Sequence, residues 1–103
     1  MSILLEFAMF PTDKGESVSE YVSRVIKLID NSGNNYQLTP MGTIVETETM
    51  REALDLVEQC YEVLAEDCNR IYSSLKFDIR NSEPGRLQKK VKSIEDKIGK
   101  VCK

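Results

Sequence analysis

Few side chains in this chain could do covalent chemistry, and their types narrow what it can do. The sequence contains no histidine, which removes the commonest general base and with it the Ser-His and Cys-His forms of nucleophilic catalysis. Cys60 and Cys68 stand eight positions apart in a stretch of helical periodicity, a rise of about 12 Å that no disulfide spans. Both fall on the apolar stripe of that helix, where thiols are usually inert. Cys102 is the penultimate residue, and without histidine or a close cysteine pair no zinc site is expected. Nothing places two acids around a reacting centre. Lys76, Asp78 and Arg80 alternate along one face of a strand pattern, which suits ion pairing across a subunit interface or contact with a phosphate or carboxylate ligand. The interface is the favoured role for Lys76 and Arg80. Asp78 is weighed both as a ligand carboxylate and as a structural ion-pair partner. The expectation is a binding protein and not an enzyme, with no cofactor.

These residues must be positioned by elements that the hydrophobic pattern reveals. Residues 2 to 10 alternate, with Ile3, Leu5, Phe7 and Met9 on one face and Leu4, Glu6, Ala8 and Phe10 on the other, and Pro11 ends the strand. Ser17 and Glu20 have capping-box spacing ahead of a helix whose apolar positions are Val18, Tyr21, Val22, Val25, Ile26 and Ile29. Asn31-Ser32-Gly33 stops it. From Tyr36 to Glu46, two short strand signals flank a turn marked by Pro40 and Gly42. Thr47 or Thr49 can cap a second helix, with the stripe Met50, Ala53, Leu54, Val57, Cys60, Tyr61, Leu64 and Cys68 expected in the core. A strand from Arg70 to Arg80 turns Ile71, Ser73, Leu75, Phe77 and Ile79 one way, and its polar side chains the other. A last helix carries Leu87, Val91, Ile94, Ile98 and Val101 in a narrow seam.

The order strand, helix, strand, strand, helix, strand, helix predicts an α+β, ferredoxin-like βαββαβ antiparallel sheet with an additional C-terminal helix. Residues 1–103 form one domain. Two helices cover one sheet face; the other is left to solvent or to another subunit. No apolar run approaches the roughly 20 residues of a membrane span, and the N-terminus has no basic segment before its apolar residues, so no signal peptide or membrane partner is expected and the location is read as cytoplasmic.

The net charge of −3 conceals an asymmetry: residues 86–103 hold seven basic and two acidic side chains, and residues 1–85 hold seven and fifteen. The acidic body and the lack of interleaved aromatics argue against nucleic acid. The basic helix is expected to complement the acidic segment from Glu46 to Asp67, within or between subunits.

The segments Ser17-Val18-Ser19-Glu20-Tyr21-Val22, Tyr36-Gln37-Leu38-Thr39-Pro40-Met41-Gly42-Thr43-Ile44-Val45-Glu46 and Lys76-Phe77-Asp78-Ile79-Arg80 together resemble the small thiamine-binding proteins of the YkoF-like superfamily, long catalogued as an uncharacterised protein family. The resemblance spans nearly the whole chain, and Pro40-Met41-Gly42-Thr43 with the following Glu46 is its most specific part. It implies a homodimer or homotetramer of ferredoxin-like subunits that binds thiamine, or its hydroxymethylpyrimidine portion, without catalysis. Thr12-Asp13-Lys14-Gly15 stands where the family commonly has a Gly-Thr pair and a longer loop, and Thr47 where it commonly has glycine.

Thiamine pairs a flat aminopyrimidine with a cationic thiazolium, and so calls for an aromatic wall, a carboxylate and hydroxyls. On this basis Glu46 accepts from the ring amine or offsets the cation, Thr43 and Ser19 supply hydroxyls, Tyr36 or Phe10 stacks, and Asp78 is a second carboxylate. Each has a structural alternative: Thr43 favours a strand, Tyr36 fills core, and Glu46 charges the N-terminus of the next helix. A regulatory or scaffold module of the same fold, binding another protein or an amino acid, is the competing function.

Overall fold

The computed structural model describes every residue from Met1 to Lys100 except residue 17. Seven elements follow one another: β1 (Ser2–Pro11), α1 (Ser19–Asn31), β2 (Tyr36–Thr39), β3 (Gly42–Thr47), α2 (Met50–Ala65), β4 (Ile71–Arg80) and α3 (Arg86–Ile98). The strands form one antiparallel sheet in the order β2-β3-β1-β4, the ferredoxin-like arrangement expected. The registers Leu5↔Val45 and Leu5↔Phe77 put the apolar residues of the two central strands and of β4 on one face, because directly opposed residues share a face.

That face meets α1 and α2. Ile3, Leu5, Ile29, Val45, Ala53, Cys60 and Leu64 are completely buried between the layers, each of the larger aliphatic side chains stabilising the fold by about 1.5–3 kcal/mol. The α2 stripe is rotated from the one expected. Leu56 is buried, whereas Leu54 and Tyr61, expected in the core, stand on its exposed side and Met50 is only half-buried. Both sets satisfy helical spacing, and docking on β1 and β3 selects the sector containing Leu56.

Thr49 is the residue that caps α2: its Oγ1 accepts from the Glu52 amide at 3.1 Å and donates to the Glu52 carboxylate at 3.0 Å, a reciprocal cap that contributes about 0.5–2 kcal/mol. The capping serine expected for α1, Ser17, lies outside the described residues. The N-cap position is Val18, with no side-chain cap, and Glu20 pairs with Arg24.

The opposite sheet face is partly covered by α3, which continues from Gly85 and crosses it between the β2 and β4 sides. The acidic α2 and the basic α3 therefore lie on opposite faces of the sheet, and of the acidic segment expected to complement the basic helix it is Glu46 that meets the start of α3 within the subunit. No residue of α3 is fully buried. Its seam is graded: Leu87 and Val91 are half-buried, Ile94 and Ile98 are exposed, and Val101 lies outside the described residues.

Candidate functional site

Two constructions stand out. The first is a notch at the end of the hairpin. β2 and β3 are joined through Pro40 and Met41, with the Thr39 hydroxyl accepting from the amides of Met41 and Gly42 at 3.2 and 3.1 Å and donating to the Gly42 carbonyl at 2.8 Å. Gly42 is favoured by proximity: a Cβ there would stand 3.0 Å from the Phe7 carbonyl oxygen of β1, a tight contact with backbone. The ladder between β3 and β1 ends at Phe7↔Thr43, whereas β1 continues along β4 to Pro11↔Ile71. From Ala8 onward the β3-side edge of β1 has no strand beside it among the described residues.

The first turns of α1 close the recess with Val22, Val25 and Ile26, the hairpin adds Leu38 and Met41, and Thr43 and Phe10 stand at its wall. The recess measures about 200 Å³. That is below the roughly 300–1,000 Å³ of a full ligand pocket; it has room for one small ring, with any second ring outside. Its lining is apolar apart from two threonines and the backbone of β1, so it offers shape, a hydroxyl and a strand edge able to meet a donor and acceptor pair.

The second construction fastens α3. The Glu46 carboxylate accepts from the Gly85 amide at 2.9 Å, the Arg86 amide at 3.3 Å and the Ser2 hydroxyl at 2.5 Å. Gly85 has φ +94°, a left-handed conformation that a side chain would strain and that turns the first amides of α3 toward the acid. Arg86 then reaches across Leu4, donating to the Ser2 hydroxyl and carbonyl at 2.9 and 2.8 Å and to the Asp78 carboxylate and carbonyl at 2.9 and 2.6 Å. Burial works to raise the Glu46 carboxyl's pKa, but the bonds from Ser2, Gly85 and Arg86 and the arginine charge outweigh it and hold it below the ordinary value.

The six residues proposed from the sequence are thus divided. Thr43 and Phe10 both border the notch, but Phe10 stands three positions from Phe7, the partner of Thr43, so its ring turns to the opposite sheet face, beside Tyr72 with ring centroids 5.7 Å apart. Glu46 and Asp78 lie on the open sheet face, both opposite Leu4 in the ladders and both engaged with Arg86. The parity of the strand separates Glu46 from Thr43, because residues an odd number apart point to opposite faces. Glu46 does neutralise a helix N-terminus, but that of α3 and not of the next helix in the chain. Tyr36 pairs with Val45 and donates to the Asp30 carboxylate at 2.8 Å. Ser19 is exposed on the first turn of α1, outside the residues lining the notch. The α1 residues of the notch carried a signal, the apolar run Val22-Val25-Ile26, which reads equally well as core. Ser2, Gly85 and Arg86 carried none, since their role depends on contacts across about the whole chain. Cys60 is completely buried and its thiol is pushed up to about 12 by burial, leaving no thiolate at neutral pH. Among the described residues, no group of three or more acids or thiols is placed to hold a metal, and no helix is long and apolar enough to cross a membrane.

Comparison with known proteins gives a consistent picture. Residues 5–95 match the profile of a family described as thiamine-binding protein. A UPF0045 protein of Mycobacterium bovis is 30% identical over 95 residues, covering 92% of this chain and 93% of its own. The crystal structure of a hypothetical protein from Methanocaldococcus jannaschii superposes with a TM-score of 0.80 at 28% identity, covering 92% of this chain and 97% of that one. A structure from Thermotoga maritima, given a provisional role in thiamine biosynthesis or salvage, superposes with a TM-score of 0.78 at 22% identity over 91% of this chain and 99% of that one, a likeness of fold.

Proposed function

We propose that this chain, which belongs to the thiamine-binding protein family, is a non-catalytic cytoplasmic binder of thiamine or its hydroxymethylpyrimidine portion, acting as a homodimer or homotetramer. The match of the family profile to residues 5–95 carries the reading. The notch supports it locally: the aminopyrimidine enters the recess, and its edge meets the free strand edge of β1 and the Thr43 hydroxyl. The small volume leaves the thiazolium outside, near the chain's acidic surface or a second subunit. Of the six residues named above, Thr43 is the one whose side chain this reading uses at the ligand, and Phe10 contributes only its place on the strand edge. The absence of histidine and the protonated state of Cys60 support binding without catalysis.

Titration calorimetry with thiamine and with hydroxymethylpyrimidine is expected to give saturable heat for both. Thr43→Val, which keeps the shape and removes the hydroxyl, is expected to weaken each by about 0.5–1.5 kcal/mol, the net worth of one hydrogen bond. No heat from either compound at millimolar concentration would remove the assignment.

Assembly is expected from the surface that one chain leaves open. β4 is an edge strand with Leu75 and Ile79 42% and 52% exposed, and α3 adds Ile98 at 73%; such apolar surface is usually covered by a partner. Light scattering is expected to return twice or four times the 11.7 kDa chain mass; the monomer mass at micromolar protein would contradict it.

A further inference from the structure

We infer that the groove between α3 and β4, on the sheet face away from the α1 and α2 layer, is a binding site for a phosphorylated small organic molecule. This goes beyond the thiamine reading and uses none of the notch. The groove measures about 650 Å³, and its lining brings Arg80 of β4 together with Arg86, Lys89 and Lys90 of α3, against the single carboxylate of Asp78. Four cations against one acid leave a local charge of +3 on a chain whose net charge is −3. The cations are not equivalent. Arg86 is nine-tenths buried and committed to Ser2 and Asp78, so it sets the wall and consumes the one acid. Arg80, Lys89 and Lys90 have no ion pair among the described residues and are left to converge on a guest.

The remaining lining says what that guest is. Ser93 adds a hydroxyl able to donate to phosphoryl oxygens, Ser82, whose hydroxyl donates to the Glu83 carbonyl at 3.3 Å, stands beside it, and Leu4 and Ile94 form an apolar floor. A forked guanidinium with two ammonium groups suits the several oxygens of a phosphate ester, and a floor of this kind suits an uncharged organic body and gives no benefit to a bare inorganic anion. The groove is also of a size that holds both parts, within the range of small-molecule sites.

The test uses the full chain and two probes of similar charge, phenyl phosphate and inorganic phosphate, followed by calorimetry at low ionic strength. Phenyl phosphate is expected to bind saturably, more tightly than inorganic phosphate, and to weaken as salt is added. The triple variant Arg80→Gln, Lys89→Gln, Lys90→Gln is expected to weaken it at least ~10-fold, since charge-assisted contacts to phosphate are lost. A charge-matched variant, Lys27→Gln, Lys92→Gln, Lys97→Gln, removes three cations outside the groove and is expected to change it less than about twofold. Far-UV circular dichroism checks that both variants keep the fold. Absence of saturable binding, equal weakening by both triple variants, or inorganic phosphate binding as tightly as phenyl phosphate would each overturn the inference.

Discussion

Glu46→Ala is expected to destabilise the folded chain by about 3 kcal/mol and to free α3 before the rest of the structure. The carboxylate is 6% exposed and serves three donors from two distant parts of the chain, Ser2, Gly85 and Arg86. A hydrogen bond to a charged group contributes about 1.5–3 kcal/mol, and each buried donor left unsatisfied costs about 1–3 kcal/mol. The lower end applies here: no apolar residue of α3 is fully buried, so it can lift and return the stranded amides to water. Urea unfolding measures the loss, and amide exchange shows where it begins, with α3 protection falling while α1, α2 and the central strands retain theirs. A loss below ~1 kcal/mol, or uniform loss of protection, would show that the helix is held by something other than this acid.

The same group sets an acid limit. Its carboxyl is held below the ordinary glutamate value in the folded chain, so the stabilisation is complete above the unfolded-state value and is lost as pH falls through the lower, folded-state value. α3 protection is therefore expected to decline in wild type on acidification through and below the ordinary carboxylate range, and to decline less in Glu46→Gln, which keeps an acceptor at this position but no ionisable group and leaves the Asp78–Arg86 pair in place.

Phe7→Ala is expected to cost about 3–5 kcal/mol, the usual range for emptying a buried phenyl site. Phe7 is 3% exposed, stands in the ladder between Thr43 and Leu75, and is both a core residue and the inner wall of the notch. Against a total stability of about 5–15 kcal/mol for a domain of this kind, the variant is expected to remain folded with little margin, its urea midpoint falling by a large fraction. Phe7→Leu, which refills most of the volume, is expected to recover more than half of the loss. A loss under ~1 kcal/mol for Phe7→Ala would mean that α1 and the hairpin collapse into the vacated space, and the notch would not be a rigid feature.

Much of the fold was legible because it rests on local periodicities. Alternation over Ile3 to Met9 and Ile71 to Ile79 marks strands, and the Thr49 cap and the Gly42 turn bound their elements within a few residues. The site was less legible. Thr43 and Phe10 border one recess, yet the odd separation that a strand turns into opposite faces puts both the Glu46 carboxylate and the Phe10 ring away from the Thr43 hydroxyl. Helical spacing alone points Leu54 and Tyr61 inward as readily as Leu56, because a 16-residue helix with apolar groups on several sides offers more than one inward face.

Residue types and their spacing were thus enough to set the βαββαβ order, the apolar faces of the strands, the absence of histidine chemistry and the family likeness, since each depends on neighbours within a few positions. The rotation of α2, the division of Thr43 from Glu46, the fastening of α3 through Ser2, Glu46 and Arg86, and the meeting of Arg80 with Lys89 and Lys90 came from packing. These depend on which surfaces meet after the chain has folded back on itself, between residues as far apart as Ser2 and Arg86, and no local pattern encodes such a contact.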